Sequence, residues 1–152
     1  MIDVKKACQW VLPGVLVFLM DRLFKYWFVH ANTVIVPGVF ALRGARNTGM
    51  ALGMFQGSAV GILIISVVLV IGCIFCMRKY HISGLAVIAL SMILGGAAGN
   101  ALDRAMYGYV IDMIEILFVD FYIFNIADVG VVCGAILCGI SLLFRPQDWS
   151  SK

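Results

Sequence analysis

The sequence predicts a mainly α-helical integral membrane protein with four transmembrane helices. A small extracytoplasmic β-rich platform is expected between the first two helices, and an extracytoplasmic loop or short helix between the third and fourth. Three observations carry this. Of 152 residues, 63% are hydrophobic and only 12% charged, with a mean hydropathy of +1.06, far from the make-up of a soluble domain. The apolar residues gather in four segments, 10–29, 59–77, 82–102 and 121–144, each close to the about 20 residues that cross a bilayer core. Between the first two, residues 32–56 read as short β-branched pieces broken by Gly and Pro, too interrupted for a span.

Four spans leave little chain for anything else, so residues 1–152 read as a single membrane domain. The net charge of +3 is then loop asymmetry that orients helices rather than a nucleic-acid surface, and no nucleic-acid partner is expected.

The first segment opens like a secretory leader, with Lys5 and Lys6 ahead of the apolar Val11 to Met20. Asp21, Arg22 and Lys25 interrupt it before any small-residue cleavage pattern, and apolar character resumes through Tyr26 to Val29. A retained helix is therefore expected. Asp21 and Lys25 stand four apart, on one helical face, where they can neutralise each other.

The platform has turn signals at Pro37-Gly38 and Arg43-Gly44. Its Asn47-Thr48-Gly49 carries an amide beside a glycine, which suits either the approach of an extended peptide backbone or an ordinary turn. The second segment has no charged residue and reads as scaffold. Arg78, Lys79 and His81 follow it, and with Lys5, Lys6 and Arg145 they put the basic clusters on one side, so both termini are expected to be cytoplasmic. His81 then sits near headgroups, and His30 is a boundary residue without an evident partner. The five cysteines, Cys8, Cys73, Cys76, Cys133 and Cys138, fall in or beside the spans and read as small packers. The Cys73/Cys76 pair lacks a second pair or a nearby histidine, so neither metal nor cofactor is expected.

Chemistry concentrates between Gly99 and Asp128, where Asn100, Asp103, Arg104, Asp112, Glu115, Asp120, Asn125 and Asp128 include five of the eight acidic residues. The small residues Gly95 to Gly99 let another helix come close. Asn100, Asp103 and Arg104 then share a face at the outer end of the third helix, with Asp103 and Arg104 forming either an interfacial ion pair or part of a site. Residues 107–118 fit a short interfacial helix or an extended segment. Asn125 and Asp128 share a face of the fourth segment, and Gly130-x-x-x-Gly134 gives a smooth packing surface beyond them. A carboxylate at membrane depth is costly enough to imply function. Two of them, Asp112 and Asp128, at one membrane boundary suggest acid and base work on a water molecule. A transport reading, with Asp128, Asn125, Asn100 and Asp103 as an ion or proton path, and a non-catalytic scaffold remain as alternatives.

GNALDR (Gly99 to Arg104), VIDMI (Val110 to Ile114) and FNIAD (Phe124 to Asp128), on four spans with an Asn-Thr-Gly platform between the first two, closely resemble the lipoprotein signal peptidase (signal peptidase II) family. The resemblance implies an aspartic endopeptidase of the bacterial cytoplasmic membrane. Its substrates would be prolipoproteins, cut before the diacylglyceryl-modified cysteine, with membrane lipids around a monomer. By position, Asp112 and Asp128 fall on the catalytic pair, and Asn47, Asn100, Asp103, Arg104 and Asn125 on polar, substrate-binding positions. The Asp21 to Lys25 stretch resembles an Asp-x-x-Thr-Lys segment. Phe24, Met50, Leu52 and Val129 depart from commoner residues, which touches preference and efficiency more than reaction type.

Overall fold

The computed structural model describes residues 4–49, 64, 67, 68, 70–75 and 79–151. Residues 50–56 of the expected platform, Cys76 of the cysteine pair and much of the second span lie outside them.

Helix α1 runs Val4–Phe28. Strands β1 (Asn32–Val36) and β2 (Phe40–Asn47) follow, joined through a turn in which Gly38 has φ +72°, a conformation glycine adopts without a Cβ penalty. Helix α2 is described at positions 64, 67, 68, 70–75 and 79. Then come β3 (Tyr80–Ile82), α3 (Gly84–Tyr107), β4 (Val110–Ile116), α4 (Ile126–Phe144), a 3-10 turn (Pro146–Asp148) and β5 (Trp149–Ser151). Helices α3 and α4 are long and apolar enough to cross a membrane, with mean hydropathies of 1.9 and 2.3.

Helix α3 packs against both α1 and α4, and small residues make this contact close. A Cβ at Gly95 would run into the backbone of Gly14, one at Gly96 into the Ala127 carbonyl, and one at Gly130 into Val17. The glycines read as packing surfaces serve as such, and Gly14 N–H donates to Ser91 Oγ at 2.9 Å across the α1–α3 seam. Away from these seams the helices stay apolar and exposed, as at Leu12, Leu16, Leu19, Val132, Ile136 and Leu143, faces that suit lipid rather than water.

Two small sheets lie at opposite ends of α3. At one end β3 and β5 pair antiparallel, and the Asp148 carboxylate accepts the Leu85 N–H at 3.0 Å at the start of α3. At the other, β1, β2 and β4 form a three-stranded antiparallel sheet. The connection between α3 and α4, expected as a loop, a short helix or an extended segment, is a strand over Val110–Ile116. Its Val110, Ile111, Ile114 and Ile116 are β-branched residues that fit a pleated surface, and β2 supplies backbone partners that a lone interfacial segment would lack. Helix α4 begins at Ile126 rather than Phe121. Residues before it stay extended, with Phe124 bridging Ile114 through N–H···O bonds of 2.8 and 3.0 Å.

Candidate active site

Four elements meet where the three-stranded sheet covers the ends of α1, α3 and α4. Strand β4 brings Asp112, which is 1% exposed. Alternation along the strand turns Val110 and Asp112 to one face. On β2, Asn47 stands opposite Val110 and Ala45 opposite Asp112, so Asn47 shares that face, and its Nδ2 donates to Asp112 Oδ2 at 2.8 Å. The other Asp112 oxygen accepts from Asn125 Nδ2 at 2.6 Å.

Asn125 is the N-cap of α4 and forms a capping box with Asp128. Its side chain accepts the Asp128 N–H at 2.9 Å, and the Asp128 carboxylate accepts the Asn125 N–H at 3.1 Å. Asp128 thus lies in the first turn, where the helix dipole favours negative charge. The second Asp128 oxygen accepts from Asn100 Nδ2 at 2.7 Å, and Asn100 Oδ1 accepts from Asn125 Nδ2 at 3.1 Å. Two asparagines therefore bridge the two carboxylates. Asn125 and Asp128 meet across the i, i+3 spacing, but as N-cap and N3 rather than as two residues inside a helix: Asn125 ends the extended segment and Asp128 is the third residue of α4.

Behind this pair stands a group of four charges. The Asp103 and Asp21 carboxylates are fully buried. Arg22 donates to Asp103 at 2.6 Å and to Asp21 at 2.7 Å. Lys25 lies 2.8 Å from Asp103 and 3.0 Å from Asp21, so two cations balance two anions. The expected Asp21–Lys25 pair is present, but Asp103 pairs with α1 and not with its neighbour Arg104. Three further bonds carry the group into the site. Lys25 Nζ donates to Asn100 Oδ1 at 3.0 Å, the Ile111 N–H to Asp103 Oδ2 at 3.1 Å, and the Ala127 N–H to Asp21 Oδ1 at 3.0 Å. Asp103 therefore braces the residue before Asp112, and Asp21 the residue before Asp128.

Arg104 donates to the Gly49 carbonyl at 3.0 Å, and the Gly49 N–H donates to Asn47 Oδ1 at 2.9 Å. Of the other acidic residues, Glu115 pairs with Arg43 at 3.1 Å and Asp120 is exposed. His30 and His81 are exposed. Among the described residues no three His, Cys, Asp or Glu side chains gather as metal ligands would.

Burial, and next the negative Asp128, push the Asp112 carboxyl up to about 6, against the amides of Asn47 and Asn125. A carboxyl raised this far keeps its proton into the mildly acidic range, and a protonated carboxyl can donate to a substrate oxygen. The role of Arg22 was not read from the sequence, although a third charge beside Asp21 and Lys25 in an apolar helix was the available signal.

A helical bundle with apolar outer faces, carrying coupled carboxylates in a cage of amides at one end, defines a membrane enzyme. Two solved bacterial membrane enzymes, obtained by the in meso method at 2.3 and 1.9 Å resolution, share the fold. Each is 30% identical in sequence. TM-scores are 0.82 over 90% of this chain and 88% of the first, and 0.75 over 88% and 92% for the second. The chain belongs to the signal peptidase (SPase) II family, which it matches over residues 14–144. It is 35% identical to a lipoprotein signal peptidase of Streptococcus thermophilus (strain CNRZ 1066) over 137 residues, 86% of this chain and 89% of that protein. Its identity to the Lactobacillus johnsonii lipoprotein signal peptidase is 34%, over 93% and 96% of the two chains. With that of Streptococcus pyogenes serotype M5 it is 32%, over 96% and 99%. Family membership makes the chain a peptidase, and the transport reading finds no support.

Proposed function

We propose that this chain is an aspartic endopeptidase that removes the signal peptide of prolipoproteins before their diacylglyceryl-modified cysteine, with Asp112 and Asp128 as its catalytic pair. The observation that carries the reading is the bridging of those two carboxylates through Asn125 and Asn100.

Two carboxylates sharing a low-dielectric site hold one proton between them. Asp112 is the member that keeps it. Asp128, at the start of α4, is ionised and takes a proton from water as the water oxygen attacks the scissile carbonyl. Protonated Asp112 donates to the carbonyl oxygen as negative charge develops there. When the tetrahedral intermediate collapses, Asp112 takes back the hydroxyl proton as the carbonyl re-forms, the C–N bond breaks, and the proton taken by Asp128 passes to the leaving amine, so the pair is restored.

Asn100 and Asn125 orient the pair. Asn47 fixes Asp112 and, with Arg104 and Gly49, lies where an extended substrate backbone would run. Asp103 is fully buried, with its oxygens engaged by Arg22, Lys25 and Ile111, and it acts by positioning. All these groups come from one chain, which suits a monomer.

The basic residues near β3 and in the C-terminal segment favour cytoplasmic termini, with the carboxylate pair at the extracytoplasmic face of the bacterial cytoplasmic membrane. Cysteines introduced at Lys79 and Arg43 would label from inside and outside, respectively; the reverse pattern overturns this orientation. The test of the activity itself is incubation of purified protein with a diacylglyceryl-modified precursor peptide. Release of the signal segment is expected, and its absence from folded protein refutes the reading.

A further inference from the structure

The sheet that carries Asp112 has a second face. Arg46 stands directly opposite Ile111 on the β2–β4 ladder, one residue out of phase with Asn47 and Asp112, so the two project behind the sheet. A cavity of about 500 Å³ opens there, between the sheet, the end of α1 and the segment that leads into α4. His30, Arg43 and Arg46 supply its polar rim, and Val29, Ile111 and Ile123 its apolar wall.

Two observations say what such a cavity holds. The first is depth. Tyr26 and Trp27 end α1 with side chains 79% and 63% exposed, the aromatic pairing that marks the headgroup level of a bilayer. The cavity begins at Val29, directly beyond them. The second is charge. Arg43 is partly neutralised by Glu115 at 3.1 Å, whereas the Arg46 guanidinium lies over the Tyr109 ring at 5.2 Å. A guanidinium held over a ring face keeps N–H donors for a ligand, and such donors can grip a phosphate with two parallel bonds.

The geometry points to a binding site for the headgroup of an anionic phospholipid, its phosphate on Arg46 and Arg43 and its glycerol region against Val29, Ile111 and Ile123. This occupant stands apart from the substrate, because the site lies on the face of the sheet away from Asp112, and it does not depend on the peptidase reading. A lipid seated there would tie the back of β2 and β4 to the membrane surface.

The test uses the full chain in nanodiscs of phosphatidylcholine, with and without phosphatidylglycerol, reading thermal stability and the phospholipid retained on extraction. Wild type should be stabilised by phosphatidylglycerol and retain it. Arg46→Gln should retain roughly tenfold less or lower, the scale of one lost charge-assisted pair, and Arg46→Lys should lie between. Ile123→Glu, which puts a negative charge in the cavity without touching either arginine, should lose retention too, and it decides the matter if Arg46→Gln does not fold. Retention unchanged in the folded variants overturns the proposal. So does equal retention of phosphatidylcholine by wild type, or stabilisation by inorganic phosphate in detergent that phosphatidylglycerol does not exceed.

Discussion

The backbone N–H of Asn125 donates to the Asp128 carboxylate at 3.1 Å, and Asp128 returns its own N–H to the Asn125 side chain at 2.9 Å. This reciprocal cap starts α4, and the amide left over reaches Asp112 at 2.6 Å. Helix initiation and site assembly are therefore the same event. An Asn125→Ala chain should lose about 1 kcal/mol of stability from the cap and roughly a thousandfold in kcat/KM, because the side chain's bonds to the Asp112 carboxylate, to Asn100 and to the Asp128 N–H go at once. Asn47→Ala, which removes one bond to Asp112, should lose roughly ten- to hundredfold. Peptide turnover by both variants checks the order, and equal losses would contradict it.

The raised Asp112 carboxyl gives a pH signature. It titrates at about 6 when folded and at 3.8 unperturbed, so between those values the unfolded chain releases the proton first. Folding therefore loses stability as pH rises through that window. Asp112→Asn has no such proton, and it should be more stable than wild type by on the order of 1 kcal/mol at neutral pH, with the advantage gone below about pH 4. Thermal unfolding in detergent at both pH values measures this. In activity, loss of the shared proton sets the basic limb. That limb should lie higher in kcat than in kcat/KM, because bound substrate excludes water from the pair.

Lys25 is 2% exposed and touches Asp21, Asp103 and Asn100. Lys25→Ala leaves two buried carboxylates facing Arg22 alone, at a cost of about 3 kcal/mol. Adding Asp21→Asn restores charge balance, and the Asn oxygen can still accept the Ala127 N–H, so the double variant should recover part of that loss. A double variant less stable than Lys25→Ala would sink the charge-balance account.

What was legible in the sequence was the expensive chemistry. Asp112 and Asp128 stood out because hydrocarbon makes carboxylates conspicuous, and the structure brings both into one site with Asn47, Asn100 and Asn125. Partnerships across the fold were not legible. Asp103 sits beside Arg104 in sequence but pairs with Arg22, 81 positions away, because helix packing, not adjacency, decides which charges meet. Residues 110–116 carry Asp112 and Glu115 at a spacing that fits helix or strand, and only the presence of β2 settles it. The start of α4 was readable, since Asn125 and Asp128 stand at N-cap and N3 spacing. Apolar Phe121 to Phe124 masked it by extending the hydrophobic run.

The last expectation concerns the pair as a unit. Asp112 and Asp128 share donors through Asn125 and Asn100, so removing either carboxyl leaves the other without a partner for the shared proton. Asp112→Asn and Asp128→Asn should each fall to near background, and the double variant should be little worse than either single one, since groups that act together are strongly non-additive. Asp103→Asn acts only through Ile111, Arg22 and Lys25, and should lose less activity and more stability. The measurement is cleavage of a lipidated precursor peptide by all four variants, each first shown to be folded in detergent. Substantial activity in either single variant, or a double variant whose loss is the product of the two, would rule out a shared catalytic pair.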